Sequence, residues 1–508
     1  MSAEANDAPP QMQGQAGTPT SEVALVQAGA GASLRKAGMA GAVMRWANLS
    51  GADLSEANLA KADMSGAVLT GTDLSQANLS RTDLRWSNLV STNLAHANLT
   101  RADLTGSVMT GANLVKANLT RANLGKADLS ARVDEGGTTP QPTDLTDANL
   151  SRANLAGAKL TDALMSRTVL SRANLTEVSL ERASMAAVVA DQAVLAKAVM
   201  TDVDLTGAIL TGANLAGANL SAANLASAKA SGANLAGANL AGANLVGADL
   251  SGANLTGANL VGADLSGANL SGANLTGARV AGANLAGARA SSANASRADF
   301  VEANLAEANF SSANLSEANL TTANLTSVVA RGANLSKATL VDTRLSPSDL
   351  AGANLSSANL TRALLAGATM AGANLSKARL TNVNLRGADL TGANLSGATL
   401  LVEQVSSFSG AGFGDDLAAS PSDQDEEFTD SADLTSEPAD DESVELVGSD
   451  ESEGETTTTD ASDAATVDDV PQESTPEPGS DSWDELFASE RLDPSIDLTG
   501  RGGKGGDR

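Results

Sequence analysis

Side chains able to do chemistry are scarce in this chain. His96 is the one histidine, cysteine and tyrosine are absent, and tryptophan occurs three times among 508 residues. Without a thiol there are no disulfides, thiolate metal sites or cysteine nucleophiles. A single imidazole with no ligand company reads as a solvated surface residue. No nucleophile–base pair, clustered acidic calcium repeat or phosphate-cradling glycine loop stands out. The expectation is a protein that is not an enzyme and carries no cofactor or metal.

The remaining candidates are charged or aromatic and are set apart by their spacing. Lys61, Arg81, Arg101 and Arg121 recur every 20 residues, with Asp63, Asp83 and Asp103 two residues beyond the first three. Two readings stand: a surface ladder of compensating charges, or a stripe that binds phosphate or an acidic partner. Trp46 and Trp86 lie 40 apart, near that basic series. Far along the chain, Trp483, Leu486 and Phe487 stand at i, i+3 and i+4 behind Ser482, so a short helix over 482–492 would present all three on one face.

The spacing of the apolar residues identifies the elements that must carry these groups. From Leu34 to Leu129 a Leu or Met stands at every fifth residue, and from Leu145 to Leu400 the spacing resumes, giving 20 and 52 repeats. Ala usually precedes each centre by two, with Asn or Asp between, as in Ala52-Asp53-Leu54 and Ala213-Asn214-Leu215. A five-residue step would carry the leucines around every face of a helix and flip them between the faces of a strand. Within one unit, however, Ala and Leu point the same way from a short extended piece, and a bend at the following Ser/Thr-Gly restores the direction. Each unit is one side and one corner of a coil.

The exceptions to the pattern give the number of sides. Ala replaces the central residue at 190, 230, 290 and 330, with Ala295 alone outside that register, and Phe310 falls midway between Ala290 and Ala330. The largest core residue would then stack between two of the smallest, as close packing requires. Twenty residues, four units, make one turn.

The tandem A-(N/D)-L-(S/T/A)-G pattern resembles the pentapeptide-repeat family over 34–129 and 145–400. The resemblance implies an all-β fold, a right-handed quadrilateral β-solenoid with four pentapeptides per coil. At about 4.8 Å per layer, 18 coils would extend roughly 85 Å. It also brings one functional class into view, since some members similar to the quinolone-resistance group act as DNA mimics on gyrase and use projecting loops. The insert at 130–144, with its acidic pair Asp134 and Glu135, resembles such a loop.

Charge divides the chain unevenly. Residues 401–508 hold 31 Asp/Glu against 4 Lys/Arg, whereas 1–400 are nearly neutral. The expected organisation is a disordered N-terminus (1–20), a cap (21–33), the first solenoid block (34–129), the inserted loop (130–144), the second block (145–400), a second cap (401–413) and a disordered acidic tail (414–508). With no leader and no long apolar run, the sequence reads as a cytoplasmic protein without a membrane role. Direct nucleic-acid binding is not expected. The leading functional expectation is a structural rod whose tail recruits an unidentified protein partner through Trp483, Leu486 and Phe487; the alternative is a DNA-mimicking modulator of gyrase or another topoisomerase.

Overall fold

A computed structural model describes residues 30–133 and 140–400. Among these residues the backbone consists of repeated five-residue units, and no helix occurs. In the unit around Leu54, the side chains of Ala52 and Leu54 are buried while Asp53 between them forms the bridge. Ser55 and Glu56 turn the chain, and the turn closes where the Ala57 N–H donates to the Leu54 carbonyl at 3.1 Å. Glu56 has φ 58°, so the third turn residue is left-handed, the arrangement of a type II turn. That conformation favours glycine, yet many corners carry Lys, Arg, Glu or Ser. Their cost, about 1–2 kcal/mol each in isolation, is opposed by backbone hydrogen bonds that fix most corners to the next layer, as from Glu56 to Ser75.

Those bonds build the stack. Parallel bridges join residues 20 apart from Ser33↔Asp53 to Arg379↔Thr399, apart from the steps that cross the insert. The Leu54 N–H donates to the Asp73 carbonyl at 2.7 Å, the Asp73 N–H to the Ala52 carbonyl at 2.9 Å, and the corner Glu56 N–H to the Ser75 carbonyl at 2.9 Å. A backbone too short for ordinary strands thus satisfies its polar groups between layers, and the result is a β-solenoid. Asn or Asp between Ala and Leu serves both the turn and the stack. Asn98 Oδ1 accepts from the Thr100 N–H at 3.2 Å, and its Nδ2 donates to Asn78 Oδ1, also at 3.2 Å.

The interior is filled by Leu and Ala in register. Bridges from Asn309 to Arg289 and to Val329 place Phe310 between Ala290 and Ala330, and its ring meets Phe300 edge-on with centroids 6.4 Å apart. Beside Phe310 and Ala330 lies an apolar cavity of about 10 Å³, whose walls offer no polar partner for a water. Where Thr replaces the inward Ala, its hydroxyl finds a backbone carbonyl: Thr72 and Thr82 Oγ1 donate to Leu49 and Leu59 of the preceding layer at 2.8 Å, and Thr343 Oγ1 to Leu340 of its own turn at 2.7 Å. These buried hydroxyls are therefore satisfied rather than merely tolerated.

At the insert the step lengthens from 20 to 31 residues, with Asn113↔Asp144, Asn118↔Asn149, Asn123↔Asn154 and Asp128↔Lys159 all parallel. Arg132 and Gln141, either side of the inserted stretch, exchange backbone hydrogen bonds of 2.7 and 2.8 Å as an antiparallel pair. Thr143 is buried at the re-entry, and its Oγ1 donates to the carbonyl of Met109 or Ser130 and accepts from the Gly111 N–H. The stack continues past the insert in unbroken register.

Candidate binding surface on the outward corners

The corner residues with positive φ project from the coil, so each corner of the stack is a row of side chains about 4.8 Å apart. Lys61, Arg81, Arg101 and Arg121 occupy one such row, all exposed, with φ between 58° and 62°. Because the step across the insert is 31, the row passes from Arg121 to Arg152 and then to Arg172. Backbone bonds from Arg121 N to the Ser151 carbonyl and from Arg152 N to the Ser171 carbonyl, 3.0 and 2.9 Å, hold these layers together. Six cations in successive layers end at Gln192, whose Oε1 accepts from Arg172 Nε at 2.9 Å.

Several other charged corners are paired, although Lys126, Arg297, Glu302, Glu307 and Lys377 are not, among the described residues. Lys36 with Glu56 (3.3 Å), Arg167 with Asp147 (2.7 Å), Arg182 with Asp162 (2.8 Å), Lys197 with Glu177 (3.5 Å), Lys337 with Glu317 (3.8 Å) and Arg362 with Asp342 (2.6 Å) all join residues 20 apart. Lys61, Arg81, Arg101, Arg121 and Arg152 have no ion-pair partner among the described residues. Asp63, Asp83 and Asp103 do not compensate them. Asp63 receives Arg45 Nε at 2.5 Å, Asp83 takes both Nε and Nη2 of Arg85, and Asp103 accepts from Thr105 with Arg85 at 3.8 Å. Hydrogen bonds from the Arg85 guanidinium hold the Asp83 carboxyl below the usual carboxylate range, against the opposing effect of burial.

The next corner row carries Trp46 and Trp86, 50% and 60% exposed and both at positive φ. Each ring lies on the glycine one layer on. A Cβ on Gly66 would stand 2.2 Å from the Trp46 ring, and one on Gly106 2.9 Å from Trp86, so the alternation Trp-Gly-Trp-Gly is steric. The Arg85 guanidinium sits 5.3 Å from the Trp86 ring centre, within cation–π range. His96 is an exposed corner residue, and no group of His, Asp or Glu fit to hold a metal occurs among the described residues. Asp134, Glu135, Trp483, Leu486 and Phe487 lie outside the described residues. Sequence reasoning stopped the basic row at Arg121, although the 11 residues added by the insert point directly to position 152.

The family described as Pentapeptide repeats matches residues 47–85, 87–125, 148–185 and, in overlapping stretches, 198–400. Among solved structures, the chain is similar to Rfr23, a pentapeptide repeat protein from the cyanobacterium Cyanothece 51142. The identity is 39% over 18% of this chain and 64% of that one, with a TM-score of 0.18; the chain thus spans just under two thirds of that relative. HetL, a pentapeptide repeat protein involved in heterocyst differentiation regulation from Nostoc sp. strain PCC 7120, is 28% identical over 55% of this chain and 89% of its own, with a TM-score of 0.16. Full-length QnrB1, a plasmid-mediated fluoroquinolone resistance protein, is 20% identical over 43% of this chain and 95% of its own, with a TM-score of 0.16. No curated protein sequence matches the chain. With the repeats matched over more than half its length and its units stacked as a β-solenoid, the chain belongs to the pentapeptide-repeat family.

Proposed function

We propose that this is a non-enzymatic, cytoplasmic structural and interaction protein, in which a right-handed, four-sided solenoid serves as a stiff scaffold and the acidic segment recruits a protein partner. The observation that carries the reading is the unbroken register of the stack. Bridges at a constant 20-residue step, with one 31-residue step absorbed at the insert, support four units per coil and fix every outward corner in a predictable row. Such a body is suited to presenting side chains at regular intervals rather than enclosing a substrate. The 31 acidic residues of 401–508 oppose collapse by self-repulsion, which would keep Trp483, Leu486 and Phe487 available to a partner's groove.

Replacing Trp483, Leu486 and Phe487 together by Ala tests the recruiting role. Thermal unfolding of the solenoid should be unchanged while proteins captured by the wild-type chain are lost, because aromatic anchors dominate such interfaces. Unchanged capture would refute it. The alternative, topoisomerase modulation by DNA mimicry through the acidic pair Asp134 and Glu135, calls for a negative surface, and the basic row runs against it. Gyrase supercoiling should accordingly proceed normally in the presence of the chain.

A further inference from the structure

Six like charges in adjacent layers make the longest single-sign row on the described corners, several of which instead pair opposite charges at the same 20-residue step. Repulsion along the row works against the stack, and Lys61, Arg81, Arg101, Arg121 and Arg152 have no ion-pair partner among the described residues. Five of the six cations are arginine, whose planar fork suits phosphate or carboxylate oxygens. Two tryptophans are held exposed on the next corner, in a backbone conformation unfavourable for bulky residues. Trp86 follows Arg81 by only five residues.

We propose that the Lys61–Arg172 row, with Trp46 and Trp86 beside it, is a binding track for single-stranded nucleic acid. The cations span five layer steps, about 24 Å, and would follow a phosphate backbone lying along the stack. The exposed indole faces would receive bases, as stacking platforms do in sequence-tolerant single-strand binders. A duplex fits less well, because its strands curve away from a straight row and its base faces are occupied. An acidic polypeptide would satisfy the arginines but leaves both indoles without a role. The net charge of the chain does not decide the matter, since exposed charges farther than about 8–10 Å are largely screened at physiological salt.

The test uses the full chain carrying Trp483→Phe, so that emission reports Trp46 and Trp86, and a fluorescein-labelled 20-nucleotide oligothymidylate. Binding should quench the tryptophans and weaken about a hundredfold between 50 and 200 mM salt, as expected for about five neutralised phosphates on a single strand. The variant Arg81→Gln, Arg101→Gln, Arg121→Gln, Arg152→Gln should lose at least tenfold in affinity and flatten the logarithmic salt slope by about 3. Its melting temperature should equal or exceed that of the parent, because repulsion has been removed. Trp46→Leu with Trp86→Leu should weaken binding at least fivefold with the slope unchanged. Absence of binding, or binding unaltered by the Gln variant, overturns the proposal. Row-dependent binding that polyglutamate displaces, without tryptophan quenching, would also overturn it and assign the row to an acidic protein. A lower melting temperature in the Gln variant would assign the arginines to packing and overturn it as well.

Discussion

At the scale of single residues, departures from the repeat carry more information than the repeat itself. Phe310 stacks between Ala290 and Ala330, and the sequence shows why: only a 20-residue period brings those three exceptions together. The same placement makes the site sensitive to volume. Phe310→Ala should destabilise the solenoid by about 3–5 kcal/mol, and Ala290→Leu, which crowds the ring from the neighbouring layer, by about 1–3 kcal/mol. Denaturant unfolding checks both; a neutral Ala290→Leu would show that the ring does not lie against that layer. Trp46 and Trp86 were visible as outward residues, but the glycines beneath them were not. Gly66 and Gly106 look like ordinary consensus corners until the rings are seen lying on them.

At the scale of the element, each unit is a turn closed by its own side chain and stitched to its neighbours. Asp and Asn at the bridge position accept from the N–H two residues on, and a carboxylate does this best when charged. The Asp83 carboxyl, held low by the Arg85 guanidinium and also by the Arg85 backbone N–H, makes the pH dependence predictable. Its folded value lies below the unfolded one of about 3.9. Its contribution is therefore fully present above the unfolded value and is lost as pH falls through the folded value. Melting temperature should drop as pH is lowered from 5 to 3, and Asp83→Asn should make that drop shallower; an identical pH profile in the variant would contradict the assignment. The insert is the other element open to test. Arg132, Gln141 and Thr143 belong to the stack, so replacing 133–140 by a short Gly/Ser linker should shift the melting temperature by only a few degrees, since loop closure depends weakly on length. A large loss would mean that residues of the insert contribute to the stability of the solenoid.

At the scale of the molecule, the repeated unit and its 20-residue step were legible because the leucine spacing and its few exceptions obey one period. The pairing of surface charge was not. Sequence spacing set Asp63, Asp83 and Asp103 beside the basic series, whereas their guanidinium partners are Arg45, 18 residues before Asp63, and Arg85, two after Asp83. Nor did the sequence reading carry the basic row across the insert, because a count of 20 from Arg121 lands on Gln141 rather than Arg152. Gln141 in fact lies at the base of the insert, against Arg132 and near Gly111. That difference governs the whole account. Continuity of register turns four scattered cations into an unbroken row of six, and a lost register would dissolve it.

The chain has no cysteine, so pairs of spin labels report register without background. Labels at Arg121→Cys and Arg152→Cys should sit one layer apart, about 5 Å along the stack, and give a spectrum strongly broadened by their mutual interaction. Labels at Arg121→Cys and Gln141→Cys should give the sum of two isolated spectra. Broadening of the second pair and not of the first would place position 141 above 121, break the row at the insert, and contradict the continuous register.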